Sequence, residues 1–281
     1  MTSVAVPVPS ARGLVIATRF VRDRLRGLRW WVIGTVAGVA TIVGLYPSVR
    51  GQAEIEDIMR NLPEGVRALF GSDVAIPITS AAGFLQARLF ATLLMIVLVV
   101  YAIGLGGRTV GGAEEDGTLQ LVVTAPVTRR RVALERLAAS IGLVVFVAAV
   151  GYAATILMAL PVDILDEVPA SRIAVGTIAV TELALLHLAV AFLGGAATGR
   201  RGPAVAAGSA LAVGGYLIHG LAASAEVIRP LRVVSPYWWF LDRNLLVHDP
   251  TFLALGAPLI AGVVVVVAGV ILYERRDLRF T

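Results

Sequence analysis

Apolar residues run along this chain in long blocks, at 30–46, 84–105, 137–160, 173–197, 203–221 and 252–273, and the stretches between them hold nearly all of the charge. A helix needs about 20 predominantly apolar residues to cross a bilayer core. Only the first block is short by that measure. Blocks that are apolar on every side leave no face for water, so they predict six transmembrane helices packed as a single domain over 30–281.

Residues 1–29 follow a different pattern. At the helical angle, Leu14, Val21, Leu25 and Leu28 gather on one side and Arg12, Arg19, Arg22, Arg26 and Arg29 on another, which predicts an amphipathic helix lying in the membrane interface. Its arginines would meet either anionic headgroups or a protein docked below, and Trp30 and Trp31 would anchor the first span. An Arg-rich start before an apolar run also fits a signal peptide, with Gly51-Gln52-Ala53 as a weak cleavage site. The stretch before Trp30 is too long for an ordinary n-region, however. Residues 47–83 are polar, acidic and broken by Pro63, Gly65, Gly71 and Pro77, so short helices or an irregular cap are expected there. Gly34-x3-Gly38 and Gly195-x3-Gly199 offer small-residue faces for helix packing.

Composition agrees with the pattern. Of 281 residues, 58% are hydrophobic and 15% charged, against roughly 25% charged in globular domains. Mean hydropathy is +0.85. With no cysteine there is no disulfide, thiolate metal site or thiol nucleophile. All 24 basic residues are arginine, so a Walker A loop, a lysine Schiff base and a Ser–Lys dyad are all excluded within this chain.

The net charge of +5 would suit nucleic acid or membrane topology. Divided by alternate loops, it becomes about +9 on the side of both termini, −3 on the other side and −1 within the spans. The positive-inside rule makes the first side cytoplasmic, with both termini inside, and no nucleic acid is needed.

The loop 106–136 between spans two and three reads GGRTVGGAEEDGTLQLVVTAPVTRRRVALER. Gly106, Gly107, Gly111 and Gly112 are expected to release the chain from the membrane helix. Glu114, Glu115 and Asp116 would favour a helix start, where negative charge opposes the positive dipole end. Leu119, Leu121, Val122 and Val123 form a short apolar patch that Pro126 ends. Thr128 can N-cap the next helix, with Val127 and Val132 as a staple. Arg129, Arg130 and Arg131 then stand in a first turn where the dipole disfavours cations, so an anionic lipid or acidic partner is expected.

This order of residues resembles the ABC-2 type transporter permeases, the membrane subunits of type V, ABCG-like bacterial ABC exporters. Glu114, Glu115, Gly117, Thr118, Leu119, Pro126 and Arg129 match the family pattern, while Gln120 replaces its usual glutamate and Arg136 its common lysine. The resemblance implies a cytoplasmic coupling helix in this loop, with Asp116 and Arg130 beside the matching residues, seated in an ATP-binding subunit beneath the N-terminal amphipathic helix. It further implies two ABC ATP-binding subunits carrying ATP and Mg, and a second permease that is either a copy of this chain or a paralogue. The chain itself would hold no cofactor, metal or catalytic residue and would lie in the bacterial cytoplasmic membrane. The cargo would be a hydrophobic or amphipathic compound such as a drug, antibiotic or lipid. A second, looser resemblance lies in SPYWWFLDRNLL, residues 235–246, where Asp242, Arg243 and Asn244 replace a Gly-rich turn. In related exporters the segment corresponding to 222–251 re-enters the membrane from outside and forms part of the outer gate.

Inside the spans, Glu182 lies about midway along the fourth and His187 follows five residues later. A carboxylate there costs on the order of 2.5–3.5 kcal/mol on insertion scales. It is therefore either a pathway residue or a protonated structural group bonded to a neighbouring helix. His187 is likewise a pathway candidate or an interhelical hydrogen-bonding group. The two are about 140° apart around the helix, which disfavours a direct relay. Tyr237, Trp238, Trp239 and Phe240 suit an outer gate or an interfacial aromatic belt. The reading is an export permease. Its rivals are a proton-coupled secondary transporter using Glu182 and a regulatory membrane subunit; an intramembrane enzyme lacks any motif to support it.

Overall fold

A computed structural model describes residues 15–52, 54, 57–58, 61–69, 76–115, 128–242 and 244–276. No strand occurs among the described residues. In chain order the elements that matter are α1 (Val15–Arg22), α2 (Leu25–Val49), α3 (Ala81–Thr109), α4 (Gly111–Glu115), α5 (Arg129–Val162), α6 (Ala170–Thr198), α7 (Arg201–Ser224), α8 (Pro236–Leu241) and α9 (Phe252–Arg275). Six of them, α2, α3, α5, α6, α7 and α9, are long and apolar enough to cross a membrane. Each contains one of the six apolar blocks in full, and together they make the chain a multi-pass membrane protein.

α6 is the centre of the bundle and packs against α3, α5, α7 and α9, while α2 lies on α5. Small residues at the crossings allow this closeness. The Gly176 backbone faces the Phe90 ring, Gly208 faces Ile103 and Gly269 faces Phe192. The outward faces stay apolar: Ile33, Val145, Val213, Leu217, Val263 and Val267 are all exposed. A soluble protein would not present such a surface, and lipid would accept it.

Several local expectations are corrected. The N-terminal stretch is not one amphipathic helix to residue 29, because the chain turns at Asp23 and Arg24. Leu25, Arg26, Leu28 and Arg29 therefore belong to α2. Leu14 and Arg12 lie outside the described residues. α2 continues through Pro47 to Val49, since a proline in the final turn removes only one amide.

The glycines of the 106–112 stretch do not release the helix. Gly106 and Gly107 lie inside α3 and are buried, and Gly111 abuts Arg200 of the α6–α7 turn. They are places of close helix approach. Of the two proposed small-residue faces, Gly34 has no neighbour, Gly38 meets Leu93 and Gly195 meets Gly111. Gly199 ends α6 at φ 71°, a left-handed position that suits glycine. In the 47–83 segment, the described helix Glu64–Leu69 packs on α7.

Candidate functional site

Four segments that the arginine count assigns to one side meet at one end of the bundle. Glu135, buried on the second turn of α5, accepts from the amides of Ile16 and Ala17 at 3.1 and 3.2 Å, and from Arg131 Nε at 2.8 Å. The amides at a helix start have no intrahelical acceptor, so a carboxylate from another helix ties α1 to α5. Glu115 does the same for α7, accepting from the Arg201 amide at 3.0 Å. Arg129 donates to the Arg276 carbonyl at 3.2 Å and Arg130 stands 4.0 Å from Glu274. Arg136 reaches the Thr109 carbonyl at the end of α3, at 3.2 Å. The arginine run therefore finds acceptors within the chain, and cations at the C-terminal ends of α3 and α9 suit the dipoles there.

Thr128 caps α5 through the Arg131 amide, as the sequence predicts. Glu114 and Glu115 fall at the end of α4 rather than at a helix start. Asp116, Gly117, Thr118, Leu119 and Pro126 lie outside the described residues, as does Val127 of the staple. Arg24 adds to the positive character of this end. Its guanidinium lies 3.3 Å from the centre of the Phe20 ring and donates to the Phe20 carbonyl. Burial first, and then repulsion from Arg108 and Arg136, brings it down to about 10.

The opposite end is tied in the same manner. Glu167 accepts from Tyr46 Oη at 3.3 Å and from the Ala81 amide at 3.2 Å, and pairs with Arg50 at 3.0 Å. Arg172 pairs with Asp249 at 2.8 Å. All six candidate spans thus run alternately between the same two ends.

Glu182 and His187 have separate surroundings. Glu182 borders a cleft of about 340 Å³ between α5 and α6, and its buried Oε2 has no hydrogen-bond partner. His187 is fully buried, and its Nδ1 lies 2.8 Å from the Leu183 carbonyl. Nδ1 therefore carries the proton, and Nε2 accepts from Tyr237 Oη at 3.3 Å. This bond fastens α8 to the middle of the bundle.

Ser235 Oγ donates to the Gly215 carbonyl at 2.7 Å, and Tyr237 also packs edge-on against Tyr216. Gly215 is nine residues from the end of α7, so α8 dips roughly 14 Å into the bundle at 1.5 Å per residue. Tyr237 and Phe240 are buried. Trp238 and Trp239 are half-buried, their ring nitrogens donating to Asp242 and to the Val233 carbonyl. Asn244 then donates to the Ala82 carbonyl at the start of α3.

The Tyr237–His187 bond sets a measurable expectation. Tyr237→Phe leaves the buried Nε2 without a donor and should cost about 1–2 kcal/mol in thermal stability. Adding His187→Phe removes the stranded acceptor and should recover most of that loss. A double variant no more stable than the single one would refute the bond.

Sequence reasoning missed three residues. Glu135 and Glu167 bind helix starts far away in sequence, although Arg131 and Glu135 carry the spacing of a helical ion pair. Gln86 is fully buried in a π-helical stretch, Leu85–Leu94, and both its amide atoms lack partners. A lone amide in an apolar block was its visible signal. Compared with known proteins, the chain matches no family model, no curated protein and no solved structure.

Proposed function

We propose that this chain is the permease subunit of an ATP-driven exporter, working with a separate ATPase in the bacterial cytoplasmic membrane. The observation that carries the reading is the knitting of α1, the α3–α5 connection, the α6–α7 turn and the last turn of α9 into one end of the bundle. A force applied to the chain between α4 and α5 would pass through Arg131 and Glu135 to α1, and through Glu115 at the α4 end to α7. Such a face suits a subunit that pushes from below, and the arginine surplus makes it cytoplasmic. The EEDGTL residues and the missing lysine support the same reading, because ATP must then be bound elsewhere.

In this proposal α1 lies in the membrane interface and the coupling contacts fall within 106–136, with Glu114, Glu115, Arg129 and Arg130 among them. Two permeases and two ATPases assemble, and ATP-driven closure shifts the pair between inward- and outward-facing states. α8, with Tyr237, Trp238, Trp239 and Phe240, closes the outer side. The cargo is hydrophobic or amphipathic.

The test is co-purification with a Walker-motif ATPase and measurement of its compound-dependent turnover. Gly117→Trp should abolish transport while ATP hydrolysis continues, with the protein still in the membrane. Unchanged transport in that variant would remove the coupling assignment. Transport that survives loss of the ATPase and collapses with a protonophore would replace the whole reading by a proton-coupled one.

A further inference from the structure

We infer that the cleft between α5 and α6 is a membrane-facing site for a compact lipophilic monocation, with Glu182 as its counter-charge. The volume of about 340 Å³ lies at the small end of ligand pockets, roughly 300–1,000 Å³. The space exists because Ala148 and Ala149 on α5 and Ala174 on α6 line it with methyl groups alone, where larger side chains would fill it. Val145 and Ile178, exposed at its border, open it sideways to lipid.

Along α6 the lining residues from Ala174 to Glu182 are spaced as one helical face, about 12 Å long at 1.5 Å per residue. The carboxylate therefore sits at one end of an apolar groove. It receives nothing from the groove itself. The Thr177 and Thr181 hydroxyls donate to the carbonyls of Ile173 and Thr177, at 2.8 and 2.6 Å, and Tyr152 donates to the Ala170 carbonyl. No arginine lines the space, and Oε2 is buried without a partner.

An unpaired carboxylate in an apolar setting favours a cation over an anion or a neutral molecule. A ligand arriving through lipid must shield or delocalise its charge, which excludes metal ions and polyamines. The Tyr152 ring offers a further surface to a cation of this kind. The site lies away from the Tyr237–His187 contact and requires neither ATP nor an ATPase.

The experiment uses the full-length chain in lipid nanodiscs with radiolabelled tetraphenylphosphonium, and neutral triphenylmethanol as competitor. Saturable binding is expected, with Glu182→Gln weakening it about tenfold or more and triphenylmethanol failing to displace the label. Ala148→Phe, which fills the groove, should weaken binding to a similar degree. It carries the test if the melting curve shows that Glu182→Gln does not fold. Absence of a saturable site overturns the proposal, as does displacement by triphenylmethanol or unchanged affinity in a folded Glu182→Gln protein. The chain has no cysteine, so Val145→Cys gives a clean control: ready formation of a disulfide dimer would mean that a second copy covers the cleft, and would overturn the proposal too.

Discussion

Gly106→Leu is expected to be the most damaging single substitution in the bundle. A Cβ at this position would stand 2.5 Å from the Leu188 carbonyl oxygen and 2.8 Å from the Ala191 Cβ. The first of these is backbone, so no rotamer change relieves the clash. α3 and α6 would have to move apart, and they are the two spans most enclosed by protein. Overpacking usually costs about 1–3 kcal/mol, and separation of the central helix pair should exceed that range.

The measurement is the melting temperature and size-exclusion profile in detergent, compared with Gly104→Leu. Gly104 lies in the same helix, and a Cβ there meets nothing within 4 Å. The control should stay near or above the parent, since replacing a helical glycine removes a penalty of roughly 1 kcal/mol. Equal stability of the two variants would show that the close approach does not organise the fold.

Glu135→Ala should release α1 from the bundle. Two amides at the start of α1 would lose their acceptor, and Arg131 its ion pair with that carboxylate. The expected loss is about 2–4 kcal/mol, mostly local to α1, because the abandoned amides are partly buried. Limited trypsin digestion reads it directly, since α1 carries Arg19 and Arg22. Cleavage there should accelerate about thirtyfold or more, as an equilibrium opening of this size requires. Arg131→Ala leaves both amide bonds in place and should change the rate far less. Equal cleavage of Glu135→Ala and parent protein would disconnect α1 from α5. If the coupling proposal holds, Glu135→Ala should also lower transport per ATP hydrolysed, by removing the link between loop and α1.

Much of this architecture is legible in the residue pattern alone. The six blocks and the uneven arginine count foreshadow six spans with all alternate loops at one end. Thr128 could be named as a cap from its neighbours alone. The glycines could not be read this way. Gly106 and Gly111 look like helix breakers when only the local sequence is seen, whereas their purpose is to admit Leu188 and Arg200. Glu182 and His187 were recognisable as polar residues in an apolar block on different faces. Their neighbours were not, because α5 and α8 are remote in sequence.

Residue order alone is therefore enough for the solvent of this protein, the number of its spans and the alternation of its loops. Hydropathy and charge act within a window of about 20 residues, and they need no knowledge of partners. Tertiary structure alone decided which carboxylate caps which helix. Glu135, Glu115 and Glu167 each reach an amide 86 to 119 positions away, at the starts of α1, α7 and α3. The open amides at a helix start can donate to any anion, so chain-local chemistry cannot choose among 19 acidic residues. Packing makes the choice by bringing one of them within 3.2 Å.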